Sequence, residues 1–122
     1  MNIEPALDRN GALERLGGDE TLYQEILALF LDDARAQIQR MWDANKRGNA
    51  DSLIRAAHSL RSSAGSVGAP RLQAVCGKLE QLIARTKPTL GFELLKISGL
   101  ITLIARELDT FTQALNENIE SE

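Results

Sequence analysis

Apolar residues recur at spacings of three and four along most of this chain, the period of one buried face of an α-helix. Five helices follow from where that pattern starts and stops. Asp8 or Asn10 can cap a short first helix through Leu16, with Ala12, Leu13 and Leu16 as its apolar side and Gly17-Gly18 as its end. Asp19 caps a second helix that runs to about Lys46, roughly 40 Å at the usual rise. Tyr23, Leu27, Phe30, Ala34, Ile38 and Met41 mark its buried face. Leu22, Ile26 and Leu29 widen that face where the short first helix could pack. Arg47-Gly48-Asn49 is a tight connector, with Gly48 suited to a left-handed cap.

The third helix runs from about Ala50 to Val67, on the stripe Leu53, Ala57, Leu60, Ala64 and Val67. Its end, SSAGSVG, reads either as a flexible linker or as a helix kept small, since Gly65 costs about 1 kcal/mol against alanine in a helix interior. The stripe continues through Ala64 and Val67, so the helix is the reading taken. Gly68 ends it, and Pro70 suits the first turn of a fourth helix reaching about Thr86. Its inward residues are Leu72, Val75, Cys76, Leu79, Leu82 and Ile83. Lys87-Pro88 breaks the pattern, and a last helix runs from near Leu90 to about Asn116. It carries Leu94, Ile97, Ile101, Ile104, Leu108, Phe111 and Leu115; Gly99 lies off that stripe and marks either a close helix contact or nothing. The expected fold is all-α: an antiparallel, up-down-up-down four-helix bundle with a short extra N-terminal helix. The whole chain, 1–122, forms one domain with loose ends at 1–7 and 117–122.

Composition narrows the function classes. Fourteen basic and seventeen acidic residues leave a net charge of −3, which argues against a nucleic-acid partner. No apolar run approaches the ~18 residues that span a bilayer, and the start MNIEPALDRNGALERL lacks the pattern of a signal peptide. The one cysteine, Cys76, allows no internal disulfide and no zinc site built on several Cys and His ligands. It lies on the apolar face, so core filling is its first reading. No G-x-x-x-x-G-K-[ST] loop is present, and Ser62, Ser63 and Ser66 have no second histidine or base pattern for a hydrolase triad.

The candidate chemistry centres on the only histidine, His58. On an ideal helix it points roughly 140° away from the apolar stripe, toward water. Ser62, Gly65 and Ala69 stand along its line, and Arg55 and Arg61 flank it by one turn each way. Imidazole titrates near pH 6.5, so it is largely neutral and nucleophilic at pH 7. Low walls and nearby cations suit a nucleophile that another macromolecule must approach. A lone helical histidine is ordinarily a surface residue, and Arg61 alone would be a solvated cation; the neighbours decide the matter.

Those neighbours resemble the histidine-containing phosphotransfer (HPt) domain family. Ala57, His58, Leu60, Arg61, Ser63, Ala64, Val67, Gly68 and Ala69, then Leu72, Cys76, Leu79 and Glu80, follow that family's pattern. LGGDETLYQEILALFLDDA also looks like such a domain's opening. Ser62 stands where the family usually has glycine, a departure that bears on transfer rate and partner fit. The resemblance implies a cytoplasmic phosphorelay intermediate of bacterial two-component signalling. His58 would be phosphorylated by a receiver-domain aspartate and would pass the group to another. Arg61 would stabilise the phosphate. Ile54, Arg55, Ser62, Gly65 and Ala69 would form the docking face, with Ile54 alternatively edging the core. Partners would be response-regulator receiver domains and a hybrid sensor histidine kinase. Mg²⁺ would be supplied by the receiver and no cofactor bound here. The chain would act as a monomer without autokinase activity. Two alternatives stand beside this: a non-phosphorylated interaction bundle, disfavoured by the intact histidine, and a histidine kinase's dimerisation part, disfavoured by four helices that close a bundle alone.

Overall fold

The computed structural model describes residues 4–86 and 94–121. Within them lie five helices: α1 (Arg9–Arg15), α2 (Glu20–Arg47), α3 (Ala50–Val67), α4 (Pro70–Thr86) and α5 (Leu94–Ser121). α2 packs on α3, α3 on α4, α4 on α5, and α5 back on α2, with α1 against α2 and α3. This is the expected four-helix bundle with one short extra helix.

Helix ends follow local chemistry. Asp8, Asp19 and Asn49 each accept a backbone N–H with their side-chain oxygen at the starts of α1, α2 and α3. Of the two caps open for α1, Asp8 is the one used. Gly17, Gly48 and Gly68 all have positive φ, and at each an N–H one residue on reaches back five residues to a carbonyl: Gly18 to Leu13, Asn49 to Ala44 and Ala69 to Ala64. That closure satisfies carbonyls that the helix end would otherwise orphan.

The poor helix material at 62–68 is helical because packing outweighs propensity. Leu53, Ala57, Leu60, Ala64 and Val67 are all buried, and the serines return to the helix backbone: Ser63 to the carbonyls of Ser59 and Leu60, Ser66 to that of Ser62. Tyr23 of α2 donates its hydroxyl to the Val67 carbonyl at 2.9 Å. Asp8 N–H donates to the Gly68 carbonyl at 2.7 Å. A β-carbon on Gly68 would overlap the Asp8 carbonyl oxygen and stand 3.2 Å from Ala12 Cβ.

Two expectations are corrected. Leu22 and Leu29 do not receive α1; they are 37% and 73% exposed. α1 instead places Ala12 in the core beside the α3–α4 reversal, because Asp8 is bonded there. α5 does not end near Asn116 but continues through Ser121. Of the two readings open for Gly99, a close helix contact or nothing, the second holds, since an added β-carbon meets nothing within 4 Å. The expected break at Lys87-Pro88 and the helix start near Leu90 lie outside the described residues. The inner faces of α4 and α5 otherwise follow the spacing, and Phe30 meets Phe111 edge-on at 5.7 Å. Polar ties also hold α5 to its neighbours: Arg71 of α4 forks onto buried Glu107 with two 2.8 Å bonds, and Asn45 of α2 donates to Ser98 Oγ at 3.2 Å.

Gly68 and Gly99 make a contrasting pair. Gly68→Ala forces a side chain into left-handed backbone and into Asp8, and is expected to cost at least about 2 kcal/mol in urea unfolding. Gly99→Ala is expected to be neutral or to stabilise by up to about 1 kcal/mol.

Candidate functional site

His58 lies at the middle of α3 on its outer side, with its side chain 61% exposed. Two neighbours meet one edge of the ring. Glu80 Oε1 of α4 is 3.2 Å from His58 Nδ1, and Arg61 Nη2 is also 3.2 Å from Nδ1. Arg61 Nε donates to the same Glu80 oxygen at 3.1 Å. Nε2 of His58 has no partner among the described residues, so the ring is held by one nitrogen and open at the other.

The two contacts at Nδ1 require different tautomers, because Glu80 can only accept there and Arg61 can only donate. A carboxylate acceptor next to Nδ1 favours the proton on that nitrogen, which leaves the lone pair on Nε2. Arg61 is then anchored through Nε on Glu80, and its Nη2 stands beside the ring as a free donor. Glu80 is 17% exposed, so its pairing with Arg61 is less screened than a surface ion pair.

α4 makes room for this arrangement. An added β-carbon at Gly77 would stand 3.6 Å from Arg61 Cδ, so the arginine stem crosses α4 at its smallest residue. Cys76 is fully buried beside the pair. Burial, and then the Glu80 charge, push its thiol up to about 12, with Arg61 opposing. Core filling is therefore what this cysteine does.

The structure brings together only part of the expected site. Arg61 meets the imidazole; Arg55 does not. Arg55 is exposed and turned along α3, with Nη2 3.4 Å from Ser52 Oγ. Ser62 is exposed as expected. Gly65 is half-buried: its carbonyl accepts from Arg15 at 2.8 Å, and a β-carbon would stand 2.6 Å from Gln73 Nε2. Its small size serves the α4 contact as well as the open surface. Ala69 is not on the outer face at all. It is fully buried, because the left-handed Gly68 turns the chain before it and the helical extrapolation fails there. Ile54 is half-buried and packs against the core.

Sequence reasoning matched Glu80 to a pattern but gave it no role. The signal was arithmetic: His58 lies ten residues before the Gly68 reversal and Glu80 twelve after it, so antiparallel packing sets them opposite each other. Among the described residues no group of three or more His, Cys, Asp or Glu is placed to hold a metal ion, and no helix is long and apolar enough to cross a membrane.

Known proteins share this fold. The family model described as Hpt domain matches residues 25–120. The crystal structure of histidine-containing phosphotransfer protein B (HptB) from Pseudomonas aeruginosa PAO1 superposes with a TM-score of 0.81, at 24% identity over 97% of each chain, a likeness of fold. No curated protein sequence matches.

The Cys76 environment yields a pH test. Between about 9 and 12 an unfolded chain releases the thiol proton while the folded one retains it. The unfolded state then binds fewer protons, so stability should fall as pH rises through that window. Buried Tyr23, its phenol also pushed up mainly by burial, adds loss above pH 10. Urea midpoints measured from pH 8 to 11 should decline, and decline less in Cys76→Ala.

Proposed function

The chain belongs to the Hpt domain family, whose members carry phosphoryl groups in two-component signalling, and from that premise we propose that His58 is the phosphoacceptor of a relay between receiver-domain aspartates. The observation that carries this reading is the half-held imidazole: Nδ1 against Glu80, Nε2 open. In the forward step the Nε2 lone pair attacks the phosphorus of an aspartyl phosphate. The N–P bond forms as the P–O bond to the aspartate breaks, and the aspartate leaves as a carboxylate. The ring gains positive charge, which Glu80 at 3.2 Å from Nδ1 offsets. Arg61 Nη2 turns from the ring edge to the phosphoryl oxygens, where a charged donor is strongest. The return step to a second receiver is the same chemistry reversed.

The donor set at the site does not suit a resident divalent cation, since its single carboxylate is taken by Arg61 and His58. Any Mg²⁺ used in transfer would sit in the receiver domain, and no step here runs through it. Four helices closing their own core suit a monomer, and a lone buried thiol suits the cytoplasm. A receiver domain and the hybrid kinase bearing it fit as partners, since an exposed nucleophile without a nucleotide-binding loop must be charged by another protein. Ser62, one turn beyond His58 and exposed, borders the approach path.

Incubation with labelled phospho-receiver domains from the same cell tests the reading. Wild type should take up acid-labile label and His58→Gln none; label on His58→Gln would overturn the assignment. Glu80→Gln should slow transfer by about tenfold or more, which corresponds to losing about 1.4 kcal/mol of the stabilisation that the carboxylate gives the ring's developing charge. Arg61→Ala should slow transfer and cost about 1 kcal/mol or less of stability, as for a partly exposed ion pair.

A further inference from the structure

A groove of about 350 Å³ runs along the α2–α3 seam, beginning at Ser59, the residue after His58, and extending away from the imidazole. Arg40 and Arg47 of α2 and Arg55 of α3 line it. Among the described residues none of the three has a carboxylate within ion-pair distance. Arg55 bonds Ser52 Oγ, and the one acidic residue in the lining, Asp43, accepts from Gln39 at 3.2 Å. Arg47 at the end of α2 complements that helix's dipole. Arg40, two turns earlier, and Arg55, on the facing helix, have no such local reason to be there. Three guanidiniums against the single carboxylate of Asp43 leave the lining with a positive surplus, in a chain whose net charge is −3. The arrangement is compensated when an anionic partner fills it.

We propose that this groove is a docking subsite for a strip of Asp and Glu side chains on the partner protein, and that it contributes to the choice of partner. Arg40 and Arg47 lie about 10 Å apart along α2. That spacing fits carboxylates spread along a protein segment better than the clustered oxygens of one small anion. The groove is open and has no aromatic wall to stack a base or ring among its lining residues. It reaches Ser59, the residue after His58 and on the neighbouring face of α3. A partner seated on the imidazole needs only to extend around that side of the helix to cover it. The inference rests on the proposed transfer reaction for the partner's identity, but not for the charge it presents.

The experiment has two arms, each comparing the full chain with the double variant Arg40→Glu/Arg47→Glu and with His58→Gln, all checked by thermal melts. In the first arm, ¹⁵N spectra at low salt are titrated with a soluble hexa-glutamate peptide and, separately, with inorganic pyrophosphate. The peptide is expected to shift the signals of Arg40, Arg47 and Arg55 in wild type and in His58→Gln. Added salt and the double variant should abolish the shifts. No shift, or shifts with pyrophosphate at least as strong as with peptide, overturns the proposal. In the second arm, KM for phospho-receiver is measured. The double variant should raise it at least tenfold, with the defect shrinking as salt increases. An unchanged KM overturns the proposal. Loss of transfer in wild type, with peptide binding intact, would instead strike the transfer reading and leave the acidic-strip assignment supported.

Discussion

At the α3–α4 reversal the backbone of Gly68 lies against Asp8 with no space for a β-carbon, and four helices take their positions from that contact. The Gly68 carbonyl receives Asp8 N–H and fixes α1. The preceding carbonyl, on Val67, receives the Tyr23 hydroxyl and fixes α2. The left-handed turn itself sets α4 antiparallel to α3. Once that register is set, residues equally far from the turn face each other, and His58, Arg61, Gly77 and Glu80 come together without any further device. Chemistry ten residues away from the turn is thus positioned by a steric fact at the turn.

Much of this was legible in the chain. The spacing of apolar residues located α3 and α4 at their observed ends, because Gly48, Gly68 and Pro70 are punctuation whose physics is local. The outward angle of His58 followed from helix geometry alone. What escaped was whatever depends on two helices at once. Leu22 and Leu29 looked like part of a packing face, yet only tertiary structure shows that Asp8 draws α1 toward Gly68 instead. Ala69 was carried onto the outer face by extending an ideal helix through a residue with φ 79°. Arg55 and Arg61 were equivalent by spacing. They differ because α4 offers Arg61 a carboxylate over a glycine and offers Arg55 nothing.

The site also shows how a carboxylate can serve two neighbours without being neutralised by either. Glu80 stands between a permanently charged guanidinium and a ring whose charge would change in the proposed transfer. With the ring neutral, Arg61 is its ionic partner. Were the ring to become cationic, the same oxygen already lies 3.2 Å from Nδ1, and Arg61 would be free to turn toward the incoming phosphate. In that reading the three side chains redistribute positive charge while the carboxylate stays still.

The bundle's connectivity has a kinetic side. α2, α3 and α4 follow one another through two-residue reversals, so each finds its neighbour at little cost in loop entropy. The ring closes only when α5 returns to α2, where Phe30 meets Phe111 and Asn45 meets Ser98. This seam also holds the buried Asn45 Oδ1, which has no hydrogen-bond partner among the described residues and so lowers the gain from closing it. Local assembly first and α5 last is the order such topology favours, and native-state hydrogen exchange would show whether α5 is also the helix that opens most readily. Opening at that edge would leave the α3–α4 contacts untouched, so a partially opened molecule would keep its imidazole beside Glu80.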